Sequence, residues 1–167
     1  MIDVLAVTNF RSILDLQVPL GSLNLVTGAN GVGKSNLYRS LHLLSACAQG
    51  GIVNSLARDG GFCSTYWAGP PVISRAMKNG TVPIQGVRTT KPKRLKLGFS
   101  CEDLSYAISL GLRPADPCDP TLFKLDPDIK RECIWAGPIC KPSAMLVDRR
   151  GVLVQTRNES GVWDIID

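Results

Sequence analysis

One glycine-rich stretch near the start of the sequence constrains the fold more than any other feature. Gly28, Gly33, Lys34 and Ser35 meet the spacing G-x-x-x-x-G-K-[ST], which is typical of a loop that binds phosphate groups. The apolar run LNLVT at 23–27 precedes this loop, and a stretch with helical periodicity follows it. A glycine turn that only caps a helix does not need a lysine and a hydroxyl residue at the helix start. The sequence therefore predicts a strand, a phosphate-binding loop and a helix, in that order.

Phosphate binding by such a loop depends on backbone N–H groups that converge on an anion. Glycine tolerates the positive φ and the close approach that this requires, and Gly28, Gly31 and Gly33 supply that freedom. The following amides belong to the start of the predicted helix, where N–H groups lack partners and the helix dipole is positive. We expect Lys34 to place its ammonium between the β- and γ-phosphates and Ser35 to bind Mg²⁺. The expected ligand is ATP with Mg²⁺, and the residues leave GTP open as an alternative.

Residues 1–58 have the pattern of strands followed by a helix. Residues 2–8 and 14–20 are predicted to be strands, the second with strict alternation of apolar and polar side chains. The run at 23–27 is predicted to be a buried strand that leads into the loop. Apolar residues then recur at helical spacing over residues 37–48, which indicates a helix of about four turns.

The remaining chain consists of two segments that differ in composition and pattern. Residues 59–92 are rich in glycine and proline, so they are predicted to be irregular. Alternating apolar residues over 93–167, separated by turn-forming residues, predict an antiparallel β-meander. We expect one α/β domain, in which a mixed sheet surrounds the P-loop helix and the meander lies behind it.

Composition excludes several classes of protein. Hydrophobic residues make up 44% of the chain, yet no run approaches the roughly 18 apolar residues of a membrane span. The six cysteines have irregular spacing, with no C-x-x-C pair, and His42 is the one histidine, which disfavours a zinc site. We expect a soluble, cytoplasmic protein with no membrane partner, whose thiols are reduced and mostly buried.

Basic residues are concentrated between residues 60 and 101, where no acidic residue occurs. This asymmetry suggests an anionic partner. A nucleic-acid-binding module that uses the segment 88–96 is therefore an alternative function, with DNA as the candidate partner. A solvated loop and the outer face of a strand explain the same pattern without a partner. The basic residues are Arg75, Lys78, Arg88, Lys91, Lys93, Arg94 and Lys96.

The stretches NFRSI and TGANGVGKSNLYRSLHLL resemble the start of the ABC-type ATPases related to RecF and the structural-maintenance-of-chromosomes proteins. The Asn-Gly pair in the loop and the Asn after GKS favour this branch over GTPases and small-molecule kinases. AQGGIVNSLARDGGFCSTYWAGP and SAMLVDRRGVLV are similar to a bacterial group of RecF-like, AAA-family ATPases. The resemblance implies that Asn30, Gly31, Val32 and the residues up to Asn36 wrap the phosphates. It also implies that Arg11 approaches them.

The same resemblance implies a P-loop NTPase lobe that forms head-to-head homodimers in the full-length protein and acts in DNA maintenance or defence. No signature motif of the LSGGQ type and no Walker B strand is found. The nearest candidate, Asp148 at the end of AMLVD, is followed by Arg149 instead of a glutamate, and DRRG favours a hairpin turn. Members of that group are longer, so residues 1–167 are expected to be a single N-terminal lobe. ATP hydrolysis by this chain is left open.

Overall fold

A computed structural model describes residues 1–70, 72–84, 93–114 and 125–166. Their main feature is one eight-stranded sheet with the order β2-β1-β3-β4-β5-β6-β7-β8. The strands are β1 (Val4–Phe10), β2 (Ile13–Pro19), β3 (Leu95–Ser100), β4 (Leu104–Gly111), β5 (Asp128–Ala136), β6 (Met145–Arg150), β7 (Leu153–Arg157) and β8 (Trp163–Ile166). The α-helices are α1 (Lys34–Ala48), α2 (Ile52–Arg58) and α3 (Arg75–Lys78), and short 3₁₀ helices cover Phe62–Thr65 and Pro142–Ala144.

The expected α/β lobe, with a mixed sheet around the P-loop helix, is wrong. Every pairing between described strands is antiparallel. Residues 23–27 join no strand ladder, and Leu23 and Leu25 are 91% and 88% exposed. An apolar run becomes a buried parallel strand only when a parallel neighbour accepts its hydrogen bonds. The described part of the chain supplies no such neighbour, so the run stays outside the sheet and exposed to solvent.

The core lies between the helices and the first strands of the sheet. Side chains alternate between the two faces of a strand, so Leu5 and Val7 of β1 both face the helices. Leu95 and Leu97 of the neighbouring strand β3 face them in the same way. The apolar stripe of α1 packs against these residues, together with Leu56 of α2. This packing fixes the start of α1, and therefore the glycine-rich loop, beside the β1–β2 turn.

The β1–β2 turn has an unusual backbone. Asn9 and Arg11 adopt positive φ values of 60° and 50°, a backbone conformation that residues other than glycine rarely adopt. Phe10 between them is completely buried. Backbone hydrogen bonds from Arg11 N to Thr65 O (2.7 Å) and from Trp67 N to Asn9 O (3.2 Å) hold the turn on both sides. The strained turn is therefore fixed by the segment that follows α2.

The second half of the sheet extends away from the helices. Gly151, with φ of 64°, makes the turn between β6 and β7, so the DRRG stretch does form a hairpin, with its turn later than predicted. Among the described residues, no helix is both long enough and apolar enough to cross a membrane. The five described cysteines are free thiols, but only Cys133 of them is buried, which corrects the expectation of mostly buried thiols.

Candidate nucleotide-binding site

The glycine-rich loop has the backbone that anion binding requires. Gly31 and Gly33 have φ values of 85° and 104°, so both lie in the region that favours glycine. Gly33 is also the residue from which α1 starts. A Cβ at Gly33 would lie 2.6 Å from Ser12 Oγ, so a side chain there would meet the β1–β2 turn. The backbone conformation thus favours glycine at this position, and an added Cβ would also displace the Ser12 hydroxyl.

The amides of this loop are available to a ligand. In the described residues, the N–H groups of residues 31–35 have no protein acceptor, whereas Asn36 N and Leu37 N donate to Gly33 O at 2.9 and 3.2 Å. These free groups sit at the N-terminus of a 15-residue helix, where the dipole is positive. Five successive donors and the helix dipole therefore favour an anion at one place.

Lys34 adds a full positive charge to this loop. Its Nζ donates to Gly28 O at 2.6 Å and to Ala29 O at 2.7 Å, so the ammonium lies across the loop. An ammonium has three N–H donors, and the third is left for a ligand. The charge is thus already held where the loop amides are exposed.

Asn36 connects the loop to a neighbouring part of the fold. Its Nδ2 donates to Ser12 Oγ at 2.8 Å, which ties the first turn of α1 to the β1–β2 turn. Ser12 is the residue that sequence reasoning missed, because no motif spacing connects positions so far apart. We assign Ser12 a positioning role, since it touches both Asn36 and the space beside Gly33.

Arg11 is also engaged elsewhere. Its Nη2 lies 3.1 Å from Asp59 Oδ2, at the C-terminal end of α2, and its Nε is buried without a hydrogen-bond acceptor among the described residues. The contact with phosphates that the resemblance implies for Arg11 stays a prediction. Arg11 fastens α2 to the β1–β2 turn.

The remaining predicted residues face solvent. Asn30, Val32 and Ser35 are exposed, and in the described chain the Ser35 hydroxyl has no partner. No group of three or more histidine, cysteine, aspartate or glutamate residues is placed to hold a metal within the described ranges. A Mg²⁺ ion at this loop fits Ser35 as one ligand, with phosphate oxygens and water as the others, which is the mode that Mg²⁺ prefers.

A cleft of about 480 Å³ opens beside the loop, between it and β2. Its polar lining comes from Ser12, Asp15, Thr27 and Lys34, and Thr8 Oγ1 donates to Asp15 Oδ1 at 3.1 Å. Apolar side chains make most of the remaining wall. The cleft thus offers a largely apolar space directly beside the amides and the ammonium. The apolar lining residues are Ile13, Leu14, Leu16, Val26, Val32, Leu37 and Ile73.

Asp148, the nearest Walker B candidate, is far from this cleft. It lies on β6, and three strands separate β6 from β1. Asp148 is 8% exposed, and its carboxylate accepts hydrogen bonds from Arg131 Nε at 2.9 Å and Arg150 Nε at 3.1 Å. Burial alone would raise the pKa of Asp148, but these two arginines outweigh it and hold the pKa below its usual range. Asp148 is therefore a structural ion-pair residue within the sheet.

Comparisons with known proteins identify no relative: no protein-family profile matches the chain, and neither a curated protein nor a solved structure matches it. The likeness to RecF-like ATPases therefore rests on the quoted sequence stretches.

Gly33→Ala tests the geometry of the loop. The added Cβ meets Ser12 Oγ and places alanine at a φ of 104°, a conformation that costs about 1–3 kcal/mol in strain. We expect ATP affinity, measured by calorimetry, to fall by roughly tenfold or more, because 1.4 kcal/mol corresponds to a factor of ten. Gly50→Ala is the matched control, since Gly50 also has positive φ but has no atom within 4 Å of an added Cβ. Equal ATP affinity in both variants would contradict the close packing of the loop.

Proposed function

We propose that this chain binds ATP with Mg²⁺ through the loop at residues 28–36. One observation carries the proposal, namely the free amides of residues 31–35 beside the Lys34 ammonium. Each hydrogen bond to a charged group contributes about 1.5–3 kcal/mol net. A handful of them therefore approaches the roughly 8 kcal/mol of a micromolar complex.

Each part of the site has a role in this proposal. The amides bind the phosphate oxygens, and Lys34 turns from the loop carbonyls toward the β- and γ-phosphates. Ser35 is one ligand of Mg²⁺, and that ion supplies positive charge against the phosphates when it is bound. The apolar wall of the cleft covers the nucleoside, and Asp15 lies within this cleft as its one acidic side chain among the described lining residues.

The wider setting follows from the sequence resemblance alone. On that basis we propose a cytoplasmic protein related to RecF-like ATPases, with ATP binding linked to DNA maintenance or defence. We also propose that the full-length protein acts as a homodimer. ATP binding is the part of this account for which the loop supplies direct physical support.

Calorimetric titration with ATP·Mg²⁺, GTP·Mg²⁺ and AMP tests the proposed function. We expect ATP to bind in the micromolar range and AMP to bind at least about 100-fold more weakly, because AMP lacks the phosphates that two or more of these hydrogen bonds require. The GTP titration measures the preference for the base. AMP binding as tight as ATP binding would show that the loop does not recognise the β- and γ-phosphates, and would refute the proposal.

A further inference from the structure

A second cavity, of about 460 Å³, lies where the start of β3, the end of β4 and the start of β5 are side by side. Lys93 and Arg94 line it immediately before β3, Arg113 just after β4, and Lys130 within β5. None of its lining residues belongs to the glycine-rich loop or to the cleft beside it. The cavity is therefore a separate feature of the molecule.

All the formally charged side chains among the described lining residues of this cavity are cations. Asp128 pairs with Arg113 at 3.0 Å and with Lys130 at 3.2 Å. The lining residues thus include four cations, and Asp128 pairs with two of them. The other lining residues, Cys63, Tyr66, Leu112 and Pro114, are formally uncharged at neutral pH. An anion is therefore the ligand that the local field favours.

Arg94 is held in place without a full set of partners. Its side chain lies over Gly111, where an added Cβ would be 3.1 Å from both Cδ and Nη1 of Arg94. Nη1 is buried and has no hydrogen-bond acceptor among the described residues. A buried charged donor without an acceptor is costly, so native proteins rarely leave one. Arg94 also lines the cavity, so its guanidinium charge is held next to this space.

The surrounding backbone is fixed by side-chain hydrogen bonds. Tyr66 Oη donates to Lys93 O at 3.1 Å, and Lys93 Nζ donates to Trp67 O at 3.0 Å. Burial raises the pKa of Tyr66 to about 12, so this hydroxyl stays protonated at neutral pH. The position of Lys93 and Arg94 is thus set before any ligand arrives.

We propose that this cavity binds a phosphate group, with Arg94 as its main contact and Lys93 and Lys130 as supporting charges. A guanidinium is planar and matches the oxygens of a phosphate with parallel hydrogen bonds. The phosphate belongs either to a nucleic-acid strand or to a free phosphate compound, because both offer the same oxygens. This cavity is a different site from the nucleic-acid-binding segment expected at residues 88–96, of which Arg88 and Lys91 lie outside the described residues.

The test is a calorimetric titration of inorganic phosphate into the Lys34→Ala protein, in which the glycine-rich loop has lost its ammonium and competes less for the anion. We expect binding to persist there and to weaken roughly tenfold or more when Arg94→Gln is added, because a lost hydrogen bond between charged groups is worth about 1.5–3 kcal/mol. Lys96→Gln is the matched control, since Lys96 is an exposed neighbour on β3 that does not line the cavity. Its phosphate affinity should stay within about twofold.

No phosphate binding in the Lys34→Ala protein, or equal losses for Arg94→Gln and Lys96→Gln, would overturn the proposal. Lys130→Gln provides a second variant in case Arg94→Gln does not fold, and it should weaken phosphate binding several-fold. The result of ATP titrations of the wild-type protein is independent of this test, because the two sites share no residue.

The source of the phosphate is decided by competition. A single-stranded oligonucleotide with a 5′-phosphate should displace inorganic phosphate better than its 5′-hydroxyl counterpart if the ligand is a strand end. Equal displacement by both would identify an internal phosphodiester, and displacement by neither would identify a free phosphate compound. Each of these results retains phosphate as the ligand and names its origin.

Discussion

Lys34→Ala is expected to weaken ATP·Mg²⁺ binding by at least about 100-fold, since the ammonium supplies one or two charge-assisted hydrogen bonds to the phosphates. The fold should remain intact, because the hydrogen bonds of Lys34 Nζ to described residues go only to the carbonyls of Gly28 and Ala29, and Lys34 is not part of the hydrophobic core. Calorimetry measures the affinity, and circular dichroism during heating measures the stability.

Lys96→Ala is the control for Lys34→Ala, because it removes the same charge from an exposed position on β3. We expect its ATP affinity to match that of the wild-type protein. If Lys34→Ala bound ATP·Mg²⁺ within threefold of wild type, the loop would not be the phosphate site.

Phe10→Ala is expected to lower the free energy of unfolding by about 3–5 kcal/mol, the usual cost of removing a buried phenylalanine. Phe10 is completely buried in the cluster that joins β1 to α1 and α2, and its backbone also bridges to Tyr66. The cavity left behind would lie under the β1–β2 turn, so relaxation there is limited by the hydrogen bonds that hold the turn. Urea denaturation followed by circular dichroism measures the change.

Leu104→Ala provides the comparison for Phe10→Ala. Leu104 begins β4 and is 43% exposed, so its loss should cost less than about 1 kcal/mol. Similar costs for the two variants would contradict the position of Phe10 in the core.

The local parts of the structure were predictable from sequence. The helix predicted over 37–48 is present and begins earlier, at Lys34. Its first turn has no apolar residue, so the apolar spacing could not mark where the helix begins. Alternation also indicated the buried positions Leu95 and Leu97 of β3. Loop residues are neighbours in sequence, so their spacing alone pointed to a phosphate site.

The parts that sequence reasoning missed depend on distant residues. The apolar run at 23–27 has the composition of a buried strand, but composition does not reveal whether a partner strand exists. The bond between Ser12 and Asn36 and the ion pair between Arg11 and Asp59 join residues 24 and 48 positions apart. Such contacts follow from how β1 packs beside α1 and α2, which no local pattern encodes.

Backbone amide chemical shifts of ¹⁵N-labelled protein, recorded during titration with ATP·Mg²⁺, test the central claim most directly. We predict the largest shifts at residues 31–36, whose N–H groups are free or lie at the start of α1. The amides of β6 to β8 should not shift, because these strands lie at the far edge of the sheet. Unshifted loop amides at saturating ATP, or shifts confined to the cavity around Arg94, would contradict nucleotide binding by this loop.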